Sequence, residues 1–131
     1  MLILDTCVLI YDALAPEKLS KRAVAELEKG RMDGDLACSD ISLWEIAMLV
    51  VRGRIAFEGN VTNLLQDIVL ANRLTVLPIS PEIAVLSTDD RLFAHKDPAD
   101  RIIAATAISR KAPLITCDAL LQGIRGLKTI W

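Results

Sequence analysis

The stretch His95-Lys96-Asp97-Pro98-Ala99-Asp100-Arg101-Ile102-Ile103-Ala104-Ala105-Thr106-Ala107 reads as a helix start followed by a helix that is apolar on almost every side, which confines it to a protein interior. Asp97 has the chemistry of an N-cap and Pro98 suits the first helical position, so Asp100 falls at the third. Positions 103, 104 and 107 share its face, and they carry Ile103, Ala104 and Ala107. Asp100 therefore points with the buried stripe, where an ionised carboxylate is expensive unless a cation or a hydrogen-bond donor meets it. Two readings are open from this stretch alone. The acids complement the helix N-terminus in the ordinary way, or Asp100 belongs to a metal site.

The rest of the chain supplies the setting. Its 131 residues make one domain, 1–131, large enough for a real core. Hydrophobic residues are 53% and aromatics only 4%, so that core is aliphatic. Short apolar runs at 2–4, 35–39, 74–78, 113–116 and 127–130 read as buried strands. Helical patterns lie between them: 7–13, 17–29, 40–51, 61–72, 81–86, the opening stretch to about 111, and 118–122. Gly30 and Gly34 are expected to end the second of these helices and Asn60 to cap the fourth. Strands alternating with helices imply an α/β domain whose central, largely parallel sheet of four to five strands carries helices on both faces. In such sheets the functional crevice opens at the carboxyl ends of the strands, near the switch point in strand order.

Four acids gather there. Asp5 directly follows the first strand and Asp118 follows the fourth. Glu45 lies in the early turns of the helix after the second strand, and Asp100 in the first turn of its own. Each has an ordinary explanation: Asp5 and Asp118 as caps of the following helices, Glu45 as the acid of a Ser42-x-x-Glu45 capping box. Together, at one rim, they would repel and take up protons unless a hard divalent cation joined them. Oxygen-only donors suit magnesium or manganese.

Leu4-Asp5-Thr6-x-x-Leu9, Ser39-x-x-Ser42-x-x-Glu45, Asp97-Pro98-x-Asp100-Arg101 with Ile103-Ala104-Ala105-x-Ala107, and Thr116-x-Asp118 together resemble the PIN-domain ribonucleases, and within them the VapC-like toxins of bacterial toxin–antitoxin pairs. The resemblance runs the length of the chain, in the family's order and spacing. It implies a PIN-like fold and metal-binding, catalytic roles for Asp5, Glu45, Asp100 and Asp118. It also implies magnesium- or manganese-dependent endonucleolytic cleavage of RNA that leaves a 5′-phosphate. Thr6 and Thr116 match hydroxyl positions near the metal. A small antitoxin covering the active site and a homodimer are implied as partners. Cys117 departs from the pattern, which more often has a polar or basic residue there.

Other residues are expected to support this site. Asp97 is read as a cap, with a supporting role behind the ligands. Arg101, Arg52 and Arg54 are candidates to hold substrate phosphates, against the ordinary reading of solvated surface charge. His95, the only histidine, is unnecessary as a general base when a metal activates water. Trp44 is read as packing, and the three cysteines as small core residues in a reducing cytoplasm. The net charge of −2 argues against a broad basic nucleic-acid footprint. No signal peptide or transmembrane run is expected. Competing readings are a metal-dependent phosphatase with an aspartyl nucleophile and a catalytically inactive PIN-like interaction domain. The phosphatase usually wants a second Asp two residues after the first, where this chain has Cys7.

Overall fold

The computed structural model describes residues 1–94 and 96–131, so His95 lies outside the described residues. Five strands, β1 (Leu2–Leu4), β2 (Leu36–Ser39), β3 (Thr75–Leu77), β4 (Leu114–Ile115) and β5 (Thr129–Ile130), form one sheet in the order β3-β2-β1-β4-β5. Every pairing is parallel, with Ile3 opposite both Ala37 and Leu114. Among the described residues seven α-helices connect them: α1 (Thr6–Leu14), α2 (Lys21–Asp33), α3 (Asp40–Val51), α4 (Val61–Ala71), α5 (Pro81–Ser87), α6 (Pro98–Arg110) and α7 (Ala119–Gln122).

Strand side chains alternate between two cores because successive residues point to opposite faces. Ile3, Ala37 and Leu114 face one core, shared with Ile83 of α5, Phe93, and Ile103, Ala104 and Ala107 of α6. Leu4, Leu36, Cys38 and Ile115 face the other, shared with Val8 and Leu9 of α1, Leu27 of α2, Ile46 of α3 and Ile68 of α4. Helices thus cover both faces, as strands this apolar require. The expected all-round burial of α6 holds for Ala99 and for the run from Ile103 to Ala107.

The second helix differs from its expected span of 17–29. Pro16 starts a single 3-10 turn, Pro16–Lys18, and Ser20 then caps α2 by accepting from the Ala23 amide at 3.0 Å. Gly30 lies inside α2 and does not end it: a Cβ there would stand 2.2 Å from Leu36 Cδ2, so the close approach of helix to strand needs the missing side chain. The helix stops at Gly34, whose φ of +66° is left-handed. No helix among the described residues is long and apolar enough to cross a membrane.

Candidate active site

The strand order reverses at β1, between β2 and β4, and the crevice beyond the carboxyl ends of these strands is where the acids meet. Asp5 ends β1 and caps α1, its Oδ1 accepting from the Thr6 amide at 2.7 Å. Asp118 caps α7, accepting from the Leu120 amide at 2.8 Å. Glu45 comes from the second turn of α3 and Asp100 from the first turn of α6. These four acids line one pocket of about 300 Å³ with Thr6, Cys7 and Cys117. Helix capping and convergence are thus compatible uses of the same carboxylates.

Asp5 is the deepest, 4% exposed. Its Oδ2 accepts from Thr116 Oγ1 at 2.6 Å and from the Cys7 thiol at 3.3 Å. Even so, burial outweighs these donors and pushes its carboxyl above the usual range, with the Asp118 charge adding to the rise. Asp100 is pushed up to about 7, first by burial and then by the charges of Asp97, Asp5, Glu45 and Asp118. Glu45 is raised by burial and by Asp5 and Asp97, against a lowering contribution from the Thr6 hydroxyl. That hydroxyl donates to Ser42 Oγ at 3.0 Å, and Glu45 Oε1 is buried with no hydrogen-bond partner.

The Ser42-x-x-Glu45 capping box does not form. Ser39 is the N-cap of α3, and Ser42 is buried in the first turn, facing Thr6. Glu45 is thereby released from a structural role at the helix start. Asp97 does cap α6, through Oδ1 and the Ala99 amide at 2.9 Å. It also brings a carboxylate oxygen within 4.8 Å of those of Glu45 and Asp100, a spacing at which one cation can be shared. No Lys or Arg among the described residues lines the pocket. A crowded, raised, oxygen-only donor set with one orphaned buried oxygen suits a hard divalent cation.

The three candidate arginines lie elsewhere. Arg101 points away from the acids, donating to Asp90 Oδ1 at 2.8 Å and to the Phe93 carbonyl at 3.1 Å, with its guanidinium against the Phe93 ring. It ties the loop before α6 to the helix. Arg52 and Arg54 are exposed beyond the C-terminal end of α3, and neither lines the pocket.

Two readings of single residues change. Trp44 is 58% exposed and does not pack in the core. With Met48, Ile41 and Pro98 it walls a second pocket, about 410 Å³, that adjoins the first through Glu45. The signal was present in the sequence: Trp44 and Glu45 are neighbours on a helix, so both cannot point inward. Of the cysteines only Cys38 is a core residue. Cys7 and Cys117 are half-buried, line the acidic pocket and touch each other, a pairing that a separation of 110 positions hides from sequence inspection.

The PIN domain family profile matches residues 2–127. The chain is 32% identical to Ribonuclease VapC22 of Mycobacterium tuberculosis (strain ATCC 25618 / H37Rv) over 131 residues, covering 98% of this chain and 97% of that protein. Among solved structures it is similar to VapBC2 from Rickettsia felis bound to a DNA fragment from their promoter, with a TM-score of 0.72, 21% identity, and 98% and 96% of the two chains covered. It is also similar to FitAcB from Neisseria gonorrhoeae, with a TM-score of 0.67, 25% identity, and 100% and 97% covered. The acids at the switch point, the five parallel strands and these matches along nearly the whole length agree: the chain belongs to the PIN domain family.

Proposed function

We propose that this chain is a divalent-cation-dependent endoribonuclease, working with magnesium or manganese, and the toxin of a toxin–antitoxin pair acting in the cytoplasm. One observation carries the nuclease reading: Asp5, Glu45, Asp100 and Asp118 converge from four segments on one pocket. Similarity to a protein named a ribonuclease supports RNA as the substrate.

In this reading Asp5, Glu45, Asp100 and Asp118 hold the cation. A divalent cation bound there supplies an activated water and stabilises the oxygen leaving the phosphodiester. The chain's own residues set the geometry. Thr116 holds Asp5 Oδ2 in place and lowers its carboxyl against the larger raising effect of burial. Its oxygen also accepts from the Asp118 amide at 3.0 Å, so one hydroxyl positions two of the acids. Thr6, donating to Ser42 Oγ, braces α1 against α3. Asp97 fixes the start of α6 and so the rotation of Asp100.

For the antitoxin we propose the apolar cleft between α3 and α4, about 600 Å³, walled by Leu43, Leu65, Val69 and Leu70, the last 72% exposed. The chain itself is proposed to be a homodimer, checked by light scattering. The nuclease test is direct. Purified chain with magnesium or manganese should cut single-stranded RNA and leave 5′-phosphates. Asp5→Asn and Asp100→Asn should cut none while keeping their circular dichroism. Cutting by either variant at the parental rate would refute the carboxylate assignment.

A further inference from the structure

Cys7 Sγ and Cys117 Sγ lie 3.2 Å apart. They meet because β1 and β4 are neighbours in the sheet, and each cysteine sits just past the carboxyl end of its strand. Both are half-buried and share the pocket wall with Asp5 and Asp118, whereas Cys38 is wholly buried within β2 and does not line the pocket. Binding of a hard cation by carboxylates gives these thiols no task. A disulfide bond is about 2.05 Å long, so the sulfurs need to close by only about 1.2 Å.

We propose that Cys7 and Cys117 are a thiol pair that oxidises to an intramolecular disulfide in the wall of the carboxylate pocket, and that this bond weakens cation binding there. The oxidant is a low-molecular-weight disulfide such as glutathione disulfide. The Cys117 sulfur, as thiolate, attacks one sulfur of the small disulfide, forming a mixed disulfide and releasing one small thiolate, which takes up the proton that Cys117 lost. The Cys7 sulfur then attacks the Cys117 sulfur. The Cys7–Cys117 bond forms, the mixed disulfide breaks, and the second small thiol leaves with the Cys7 proton. Two protein thiols have lost two electrons and two protons, and one small disulfide has become two thiols.

The consequence for the pocket follows from one contact. In the reduced chain the Cys7 thiol donates to Asp5 Oδ2 at 3.3 Å. Bond formation removes that hydrogen and swings the sulfur toward Cys117, so Asp5 keeps only Thr116 and the Thr6 amide as donors. The bond also ties the start of α1 to the β4–α7 junction and so resets the spacing of Asp5 and Asp118. Loss of a partner that orients a metal ligand lowers metal affinity about 10- to 100-fold.

The test uses the full chain, metal-free, incubated with glutathione disulfide and compared with the same sample reduced by dithiothreitol. Oxidation should lower the intact mass by about 2 Da, leave Cys38 as the remaining free thiol, and yield a peptide pair joining Cys7 to Cys117. Calorimetric titration with Mn2+ should then show the Kd raised about tenfold or more, restored by dithiothreitol. Cys117→Ser should show neither the mass change nor the oxidant effect on Mn2+ binding. Persistence of all three thiols, or only glutathione adducts, overturns the proposal. A disulfide that leaves the Kd unchanged overturns its regulatory half. The cation half rests on the carboxylate reading above, and failure of that reading is distinguishable: the reduced chain would not bind Mn2+ at all, while the mass result would stand.

Discussion

Thr116 donates its hydroxyl hydrogen to Asp5 Oδ2 over 2.6 Å, joining the carboxyl ends of two adjacent parallel strands through side chains 111 positions apart. Both groups are buried, so this is a charge-assisted bond in a low-dielectric setting, the kind whose loss is felt. Thr116→Val keeps the shape and removes the donor. It should destabilise the chain by about 1–3 kcal/mol, measured by urea denaturation, because the buried Asp5 carboxyl loses a hydrogen-bond donor. The loss should shrink in acid, where Asp5 is protonated. Thr116→Ser should restore most of the stability and the cation affinity, which a purely volumetric role would not do.

The carboxyl cluster makes the metal-free chain pH-sensitive in a defined direction. Asp100 rises from 3.8 in the unfolded chain to about 7 in the folded one, and Asp5 and Glu45 rise too. A raised carboxyl holds its proton longer in the folded state, so between pH 3.8 and about 7 folding takes up protons and stability falls as pH increases. In a chelator, the urea midpoint should therefore be lower at about pH 8 than at about pH 5.5. Mn2+ should raise the midpoint at the higher pH and do little at the lower. Binding near pH 6 should release protons, seen as a dependence of titration heat on the buffer's ionisation enthalpy. Equal midpoints at the two pH values would mean that the acids are not crowded in solution.

Asp100→Asn separates stability from function at the same site. It removes a carboxyl that burial and the charges of Asp97, Asp5, Glu45 and Asp118 disfavour in ionised form, and leaves a side chain of the same size. The metal-free variant should melt a few degrees higher than the parent at about pH 8, with the gap narrowing through about pH 5.5 and closing near pH 4. It should nevertheless lose cation binding and RNA cleavage. A variant that melts lower at both pH values would place Asp100 in a structural role.

Much of this was legible because it rests on short-range rules. Alternating apolar runs and helices specified the parallel sheet. Asp97-Pro98 fixed the start of α6 and therefore which face Asp100 shares. What escaped depends on contacts between distant segments. Arg101 sits beside Asp100 in sequence, but a helix turns about 100° per residue, and the guanidinium ends on Asp90 and the Phe93 carbonyl. Ser42 fitted a capping box by spacing, yet the strand before it delivers Ser39 to the cap position. Nothing local announces that Cys7 and Cys117 touch.

Gly30 is the clearest instance of a local rule overridden by packing. Glycine in a helix interior costs about 1 kcal/mol relative to alanine, so Gly30→Ala should by propensity stabilise α2. The added Cβ would stand 2.2 Å from Leu36 Cδ2 and 2.8 Å from its Cγ, and Leu36 is itself buried in the core between α2 and the sheet. Overpacking of this kind costs about 1–3 kcal/mol, which exceeds the propensity gain. The variant should be net destabilised by chemical denaturation, and the double variant Gly30→Ala with Leu36→Ala should show non-additive recovery. A stabilised single variant would show that α2 can lift off β2 at little cost.

Trp44 should influence substrate handling without influencing stability. Its ring is 58% exposed, so truncation to alanine removes little buried area and should leave the urea midpoint within the equivalent of about 0.5 kcal/mol. The pocket it walls joins the acidic pocket through Glu45, which puts a flat apolar surface within a nucleotide's length of the carboxylates. Single-stranded RNA presents unstacked bases, and stacking one on an aromatic side chain is worth about 1–3 kcal/mol. If a base next to the scissile phosphate stacks there, Trp44→Ala should raise KM for single-stranded RNA about 5- to 100-fold with a smaller change in kcat, and Trp44→Phe should recover most of the loss. The same stacking should quench Trp44 fluorescence when RNA binds an Asp5→Asn chain, measured in a Trp131→Phe background so that Trp44 is the only emitter. An unchanged KM together with unquenched emission would leave the exposed tryptophan to a protein partner and remove it from RNA recognition.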